Sequence, residues 1–162
     1  MNLLKEIKTK LKWIFTKCPS PHERKLNDVV IYPVQDHAYI AVYWKDLPIG
    51  KGPCVSLYVH DKEILKFDCF GEDRGHYHTN MNQPSLAPKG EERLYFSERT
   101  IEDQVERSIF EIQKNASYHL QRNYDPRVTF FKLDQLRLEV ACREAKAKML
   151  EYAGKMCDEF KR

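Results

Sequence analysis

Apolar positions along the 162-residue chain follow two rhythms, and the change between them divides the sequence. Leu3, Leu4, Ile7, Leu11, Ile14 and Phe15 recur at helical spacing, with Lys5, Lys8, Lys10 and Lys12 mostly elsewhere. Residues 1–17 therefore predict a basic amphipathic helix. Two prolines in Lys17-Cys-Pro-Ser-Pro-His22 end it, since they remove donors and fix the backbone. From 28 to 97 the rhythm becomes that of strands. Val29–Val34 and His37–Trp44 are rich in β-branched and aromatic residues, with Gln35-Asp36 as a tight turn. That loop sets Ile31 opposite Ile40 and Val29 opposite Val42, so Ile31, Ile40, Val42 and Trp44 share an apolar face. Tyr32, Tyr39 and Tyr43 then share the other face with His37, to be covered by C-terminal helices.

Residues 45–53 (KDLPIGKGP) predict a loop, and its Gly-Lys-Gly lacks the spacing and the Ser/Thr of a phosphate-binding loop. Cys54–His60 and Glu63–Phe70 predict a second hairpin around Asp61-Lys62. In that register Val55 opposes Asp68, Leu57 opposes Lys66, Val59 opposes Ile64 and Cys54 opposes Cys69; a three-residue loop would change it. His76–Met81 and Arg93–Ser97 supply two further short strands. Thr100-Ile-Glu-Asp103 resembles a capping box and opens a helix with Ile101, Val105, Ile109, Ile112, Ala116 and Leu120 on one stripe. Asn123-Tyr-Asp-Pro126 stops it. A last helix, roughly 133–160, carries Leu133, Leu136, Val140, Ala147 and Leu150. Its second half is sparse in large apolar groups and is expected to contact little, or to pack on another copy in a homo-oligomer. These elements predict an α+β fold in one domain over 1–162: an antiparallel β-meander of five or six strands with an N-terminal helix and two C-terminal helices.

Charge adds a polarity that the total of +3 conceals. Residues 1–17 hold five Lys and one Glu, 18–120 hold 12 basic and 16 acidic groups, and 121–162 hold 10 and 7. An acidic β-rich middle thus lies between basic ends, so an RNA or an acidic partner is expected to meet the terminal helices first. No apolar run approaches the ~20 residues that cross a bilayer. The five cysteines form no C-x-x-C pair, and Cys142 and Cys157 on one helix would lie about 22 Å apart. Reduced thiols in a cytoplasmic protein are expected.

The densest chemistry is in Lys66-Phe-Asp-Cys-Phe-Gly-Glu-Asp-Arg-Gly-His-Tyr-His78. On a strand, His76 and His78 project from one face, where two imidazoles can bind a metal or divide base and acid roles. Asp68 can orient a ring or complete a metal site, and Arg74 can fork onto a phosphate or carboxylate. His60 is a more remote candidate. Asp68, Arg74, His76 and His78 are therefore the candidate catalytic residues; no organic cofactor is called for, and whether the histidines hold a metal stays open. The same residues have a structural reading, with Asp68 capping a turn and Asp73–Arg74 forming an exposed ion pair.

Two resemblances bear on this cluster. Gly71 with His76 and His78 is similar to the first cupin metal motif, but Asn82 stands nearest the place of the expected Glu and no second motif follows. A strand, then Lys66-Phe67-Asp68, then His76 and His78, then a polar-capped helix resembles the small TumE-like toxins of bacterial toxin–antitoxin systems over about 55–120. Cys69 and Gly71-Glu72-Asp73 stand where those toxins tend to have Asn and a paired His. Metal-independent cleavage of RNA needs a base, an acid and a cation for the phosphate, groups that His76, His78 and Arg74 contain; the resemblance implies a toxin role and an antitoxin partner. A non-enzymatic protein-interaction module is the alternative.

Overall fold

The computed structural model describes residues 27–79 and 93–159. The expected N-terminal helix lies outside the described residues. Six strands run in chain order: β1 (Asn27–Gln35), β2 (Ala38–Leu47), β3 (Gly50–Val59), β4 (Lys62–Asp68), β5 (His76–Thr79) and β6 (Leu94–Tyr95). Every neighbouring pair is antiparallel, and the spatial order equals the sequence order. Three helices follow: α1 (Ile101–Leu120), the short α2 (Pro126–Thr129) and α3 (Gln135–Glu159). The fold is thus α+β, a six-stranded meander with helices on one face. None of these helices is long and apolar enough to cross a membrane.

Both predicted hairpins form, but each register differs by one residue, and a one-residue slip exchanges the faces. The first turn is Asp36-His37 rather than Gln35-Asp36, with His37 left-handed at φ 65°. Gln35 stays in the strand because its amide is engaged elsewhere. It donates to Lys132 O at 3.1 Å and accepts from Asp134 N–H at 2.6 Å. Consequently Tyr32, not Ile31, opposes Ile40. Tyr32 packs with Ile40, Val42 and Trp44 under the helices, while Ile31 joins Tyr39 and Tyr43 on the far face. The expected tyrosine face covered by the C-terminal helices is thereby corrected: the helices cover the aliphatic face.

In the second hairpin the turn is His60-Asp61, and Cys54 opposes Asp68 while Ser56 opposes Lys66. A bulge then inserts Ile64 between the pairs Leu57–Leu65 and Tyr58–Glu63. Asp68 therefore does not share a face with Val55, Leu57 and Val59. Nor is 45–53 a loop, since β2 and β3 close over the two-residue turn Pro48-Ile49. Its glycines serve close approach within β3: a Cβ on Gly52 would stand 2.1 Å from Cys69 O, and one on Gly50 would stand 2.6 Å from the Phe70 ring.

The main core joins Ile40, Val42, Val55, Leu57, Leu65 and Phe67 of the sheet to Val105, Ile112 and Leu120 of α1 and Leu138 and Met149 of α3. Helix α1 starts as its sequence indicates, with Thr100 Oγ1 accepting from Asp103 N–H at 3.1 Å. The stop at Asn123–Pro126 also starts α2, because Pro126 suits a first helical turn and Asp125 caps it. The apolar stripe of α3 is displaced from the expected one. Leu138, Ala141, Cys142, Ala145 and Met149 are buried, whereas Leu136 and Val140 are exposed. Small residues bring this helix against β1–β3. Its second half is anchored rather than sparse in contacts: Tyr152 donates to Asp28 O at 2.5 Å and meets Trp44 edge-on.

Candidate functional site

The face of the sheet away from the helices carries an ordered set of polar side chains. Directly opposed residues share a face, so the registers lay out rows across the sheet. One row is Tyr43, Cys54, Asp68, His76 and Tyr95; the next is Ile31, Ala41, Ser56, Lys66 and His78. Asp68 and His76 are thus direct cross-strand neighbours, and Lys66 faces His78. Asp68, His76 and His78 are each 3% exposed, and one ligand atom from each lies within 4.8 Å of the others.

Each oxygen of Asp68 has a different neighbour. Lys45 Nζ approaches Oδ1 at 2.6 Å, and His76 Nε2 lies 3.4 Å from Oδ2. Burial alone would raise the Asp68 pKa, but Lys45 and then Lys66, with hydrogen bonds from Lys45 and Cys54, bring it below the ordinary value. Burial likewise opposes the Lys45 charge, yet Cys54 and Asp68 outweigh it and raise the ammonium's pKa. The Cys54 thiol is itself pushed well up by burial, so it is neutral and Asp68 is the partner that counts at neutral pH. A buried, charged Lys45–Asp68 pair results.

The tautomer of His76 follows from its other nitrogen. Nδ1 lies 2.9 Å from the Arg74 carbonyl, which can only accept, so Nδ1 carries a proton and Nε2 faces Asp68. Its two nitrogens are therefore both directed at protein groups. The ring of His78 stands edge-on to that of His76, with centroids 5.1 Å apart. Beside them, Ser56 and Tyr58 donate to Glu63 Oε1 at 2.6 and 2.9 Å, and Tyr43 Oη lies 3.1 Å from Ser56 Oγ.

The segment between Asp68 and His76 is braced by α1. Gln104, fully buried, accepts from Gly71 N–H at 2.9 Å and donates to Glu98 O at 2.8 Å. Gly71 and Glu72 adopt left-handed conformations at φ 71° and 46°. Gly75 has no room for a Cβ, which would stand 2.1 Å from Gln104 Oε1. These contacts fix the turn that returns the chain so that His76 lands beside Asp68.

Of the four candidate residues, the structure brings together Asp68, His76 and His78. The Arg74 side chain is 60% exposed and its guanidinium turns to Glu72 at 3.7 Å, so only its backbone carbonyl serves the cluster. That pairing also replaces the expected Asp73–Arg74 contact, and Asp68 holds Lys45 rather than capping a turn through its side chain. His60 stacks on His37 at 4.8 Å in the turns at the other end of the hairpins. Sequence reasoning missed Lys45 and Gln104. Lys45 continues the alternation of Tyr39 and Tyr43 by one more step, a signal hidden by treating 45–53 as a loop. Comparison with protein-family models, curated proteins and solved structures finds no match to the chain.

Proposed function

We propose that the protein is a toxin-like, nucleic-acid-directed ribonuclease whose working centre is Asp68, His76 and His78. The observation that supports this most is their convergence on one sheet face beside two lysines, Lys45 and Lys66. RNA cleavage needs the 2′-hydroxyl activated, the phosphate charge neutralised and a proton delivered to the leaving oxygen. The 2′-oxygen attacks the adjacent phosphorus, the bond to the 5′-oxygen breaks, and a 2′,3′-cyclic phosphate and a 5′-hydroxyl result. The proton lost from the 2′-oxygen is accepted at the centre, and the centre returns one to the 5′-oxygen. Lys66, opposite His78, takes the phosphate-neutralising role that the sequence suggested for Arg74.

A toxin of this kind has an antitoxin protein as its partner. Leu136 and Val140, one helical turn apart and exposed on α3, are apolar groups for such a protein to cover.

Single-stranded RNA of mixed sequence, incubated with the full-length chain, tests the reading. Cleavage leaving cyclic phosphate ends should fall by about a hundredfold or more in His78→Ala and Asp68→Asn and persist in Arg74→Ala. Absence of cleavage, or equal cleavage by His78→Ala, would overturn it.

A further inference from the structure

We infer that Asp68, His76 and His78 form a buried binding site for one divalent transition ion of the Zn2+ class. The ion and the proton transfers of the proposed function call on the same three side chains, so the inference stands beside that reading rather than on it, and the geometry that supports the ion does not depend on RNA being the substrate.

The first argument is a distance. His76 Nε2 and Asp68 Oδ2 lie 3.4 Å apart, beyond the ~2.7–2.9 Å of a charge-assisted N–H···O bond. Ligands bound tetrahedrally at about 2.0–2.2 Å are separated by about 3.3–3.6 Å along an edge. The pair therefore has the spacing of two ligands on one ion rather than of a closed hydrogen bond. The limit of 4.8 Å on the three ligand atoms exceeds that edge by about 1.5 Å at most, within reach of an imidazole turning about its side-chain torsions.

The second argument is the support around the ligands. With Nδ1 engaged by the Arg74 carbonyl, Nε2 is the ring atom of His76 that faces Asp68 Oδ2. A ligating histidine almost always donates its other N–H to a carbonyl or carboxylate, as here. Lys45 holds Oδ1 of Asp68 and leaves Oδ2 on the histidine side. The His-Lys-Asp arrangement thus has both the ligands and their outer partners.

Lys45 and Lys66 balance Asp68 and Glu63 on this face, and a ligating histidine is neutral. A dication therefore adds two positive charges in a site whose residues are all buried, which favours a small anionic fourth ligand such as hydroxide.

Untagged full-length chain, stripped with chelator and titrated with Zn2+ and Co2+, tests the inference. One equivalent of Zn2+ should bind, and Asp68→Asn, His76→Ala and His78→Ala should each weaken binding beyond the about 10–100-fold typical of outer-partner changes. Co2+ bound to the unaltered chain should show the intense visible bands of a four-coordinate site, a readout that needs no variant to fold. Substoichiometric Zn2+, a six-coordinate Co2+ spectrum, or binding equal in His78→Ala would overturn it. The RNA reading fails separately: stoichiometric Zn2+ without cleavage supports the ion and removes the ribonuclease, whereas cleavage by a chain that binds no Zn2+ keeps the ribonuclease and removes the ion.

Discussion

Lys45 on β2 and Asp68 on β4 meet at 2.6 Å across the intervening strand β3, with both side chains buried. Two strand spacings are roughly 10 Å, a span that a lysine stem covers and a shorter cation does not. The pair holds one carboxylate oxygen in place and leaves the other turned toward the histidines.

Removing one member of that pair leaves a buried charge without its partner. Lys45→Met should destabilise the protein by about 3–5 kcal/mol. The double variant Lys45→Met/Asp68→Asn should lose less than the sum of the single losses by about 1–3 kcal/mol. Urea unfolding of the four proteins measures both, and strict additivity would contradict the pairing.

The same pair sets a pH window. Asp68 has a folded pKa below its ordinary 3.8, so its contribution is present above that value and is lost as pH falls through the lowered folded one. Lys45 has a folded pKa above 10.5, so its contribution is present below that value and is lost as pH rises through the raised one. Unfolding midpoints should therefore fall more steeply below about pH 4 for the unaltered protein than for Lys45→Met/Asp68→Asn. Parallel acid limbs would count against it.

Gln104 is a positioning residue for the turn before His76. Gln104→Ala should cost about 1–3 kcal/mol by leaving buried backbone groups of the turn without a partner. It should also broaden the His76 and His78 imidazole NMR signals, which a purely local loss in α1 would not do. Sharp, unshifted imidazole signals would show that the turn holds without it.

The phase of α3 separates two side chains of similar size. Met149→Ala should cost about 2–5 kcal/mol, as for a fully buried side chain. Leu136→Ala, at a position 73% exposed, should change stability by no more than about 0.5 kcal/mol. Thermal unfolding with calorimetry distinguishes them, and the reverse order would restore the stripe expected from sequence.

Much of the architecture was legible because period-two runs and a capped helix are local signals. Ile109, Ile112, Ala116 and Leu120 are buried along α1 as their spacing indicated, and all six strands were recognisable. Register was not, because it was decided by contacts distant in sequence. Gln35 is held in β1 by Lys132 and Asp134, and Ile64 bulges from β4. Each detail moves a row of side chains to the other face, which carried Tyr32 into the main core and Asp68 to the face away from the helices. In α3, small residues rather than Leu136 and Val140 face the sheet, since close packing favours Ala141, Cys142 and Ala145 there. The cluster itself was half legible: the spacing of His76 and His78 and the strand position of Asp68 indicated it, whereas Lys45 became visible only once β2 and β3 extended through the glycines.

Anomalous diffraction at the zinc edge, on crystals of the full-length chain grown with Zn2+, addresses the centre most directly. The account predicts one strong peak about 2.0–2.2 Å from Asp68 Oδ2, His76 Nε2 and a His78 ring nitrogen, with the Arg74 carbonyl still on His76 Nδ1. No peak there, with the ion held by other residues or not held at all, would contradict it.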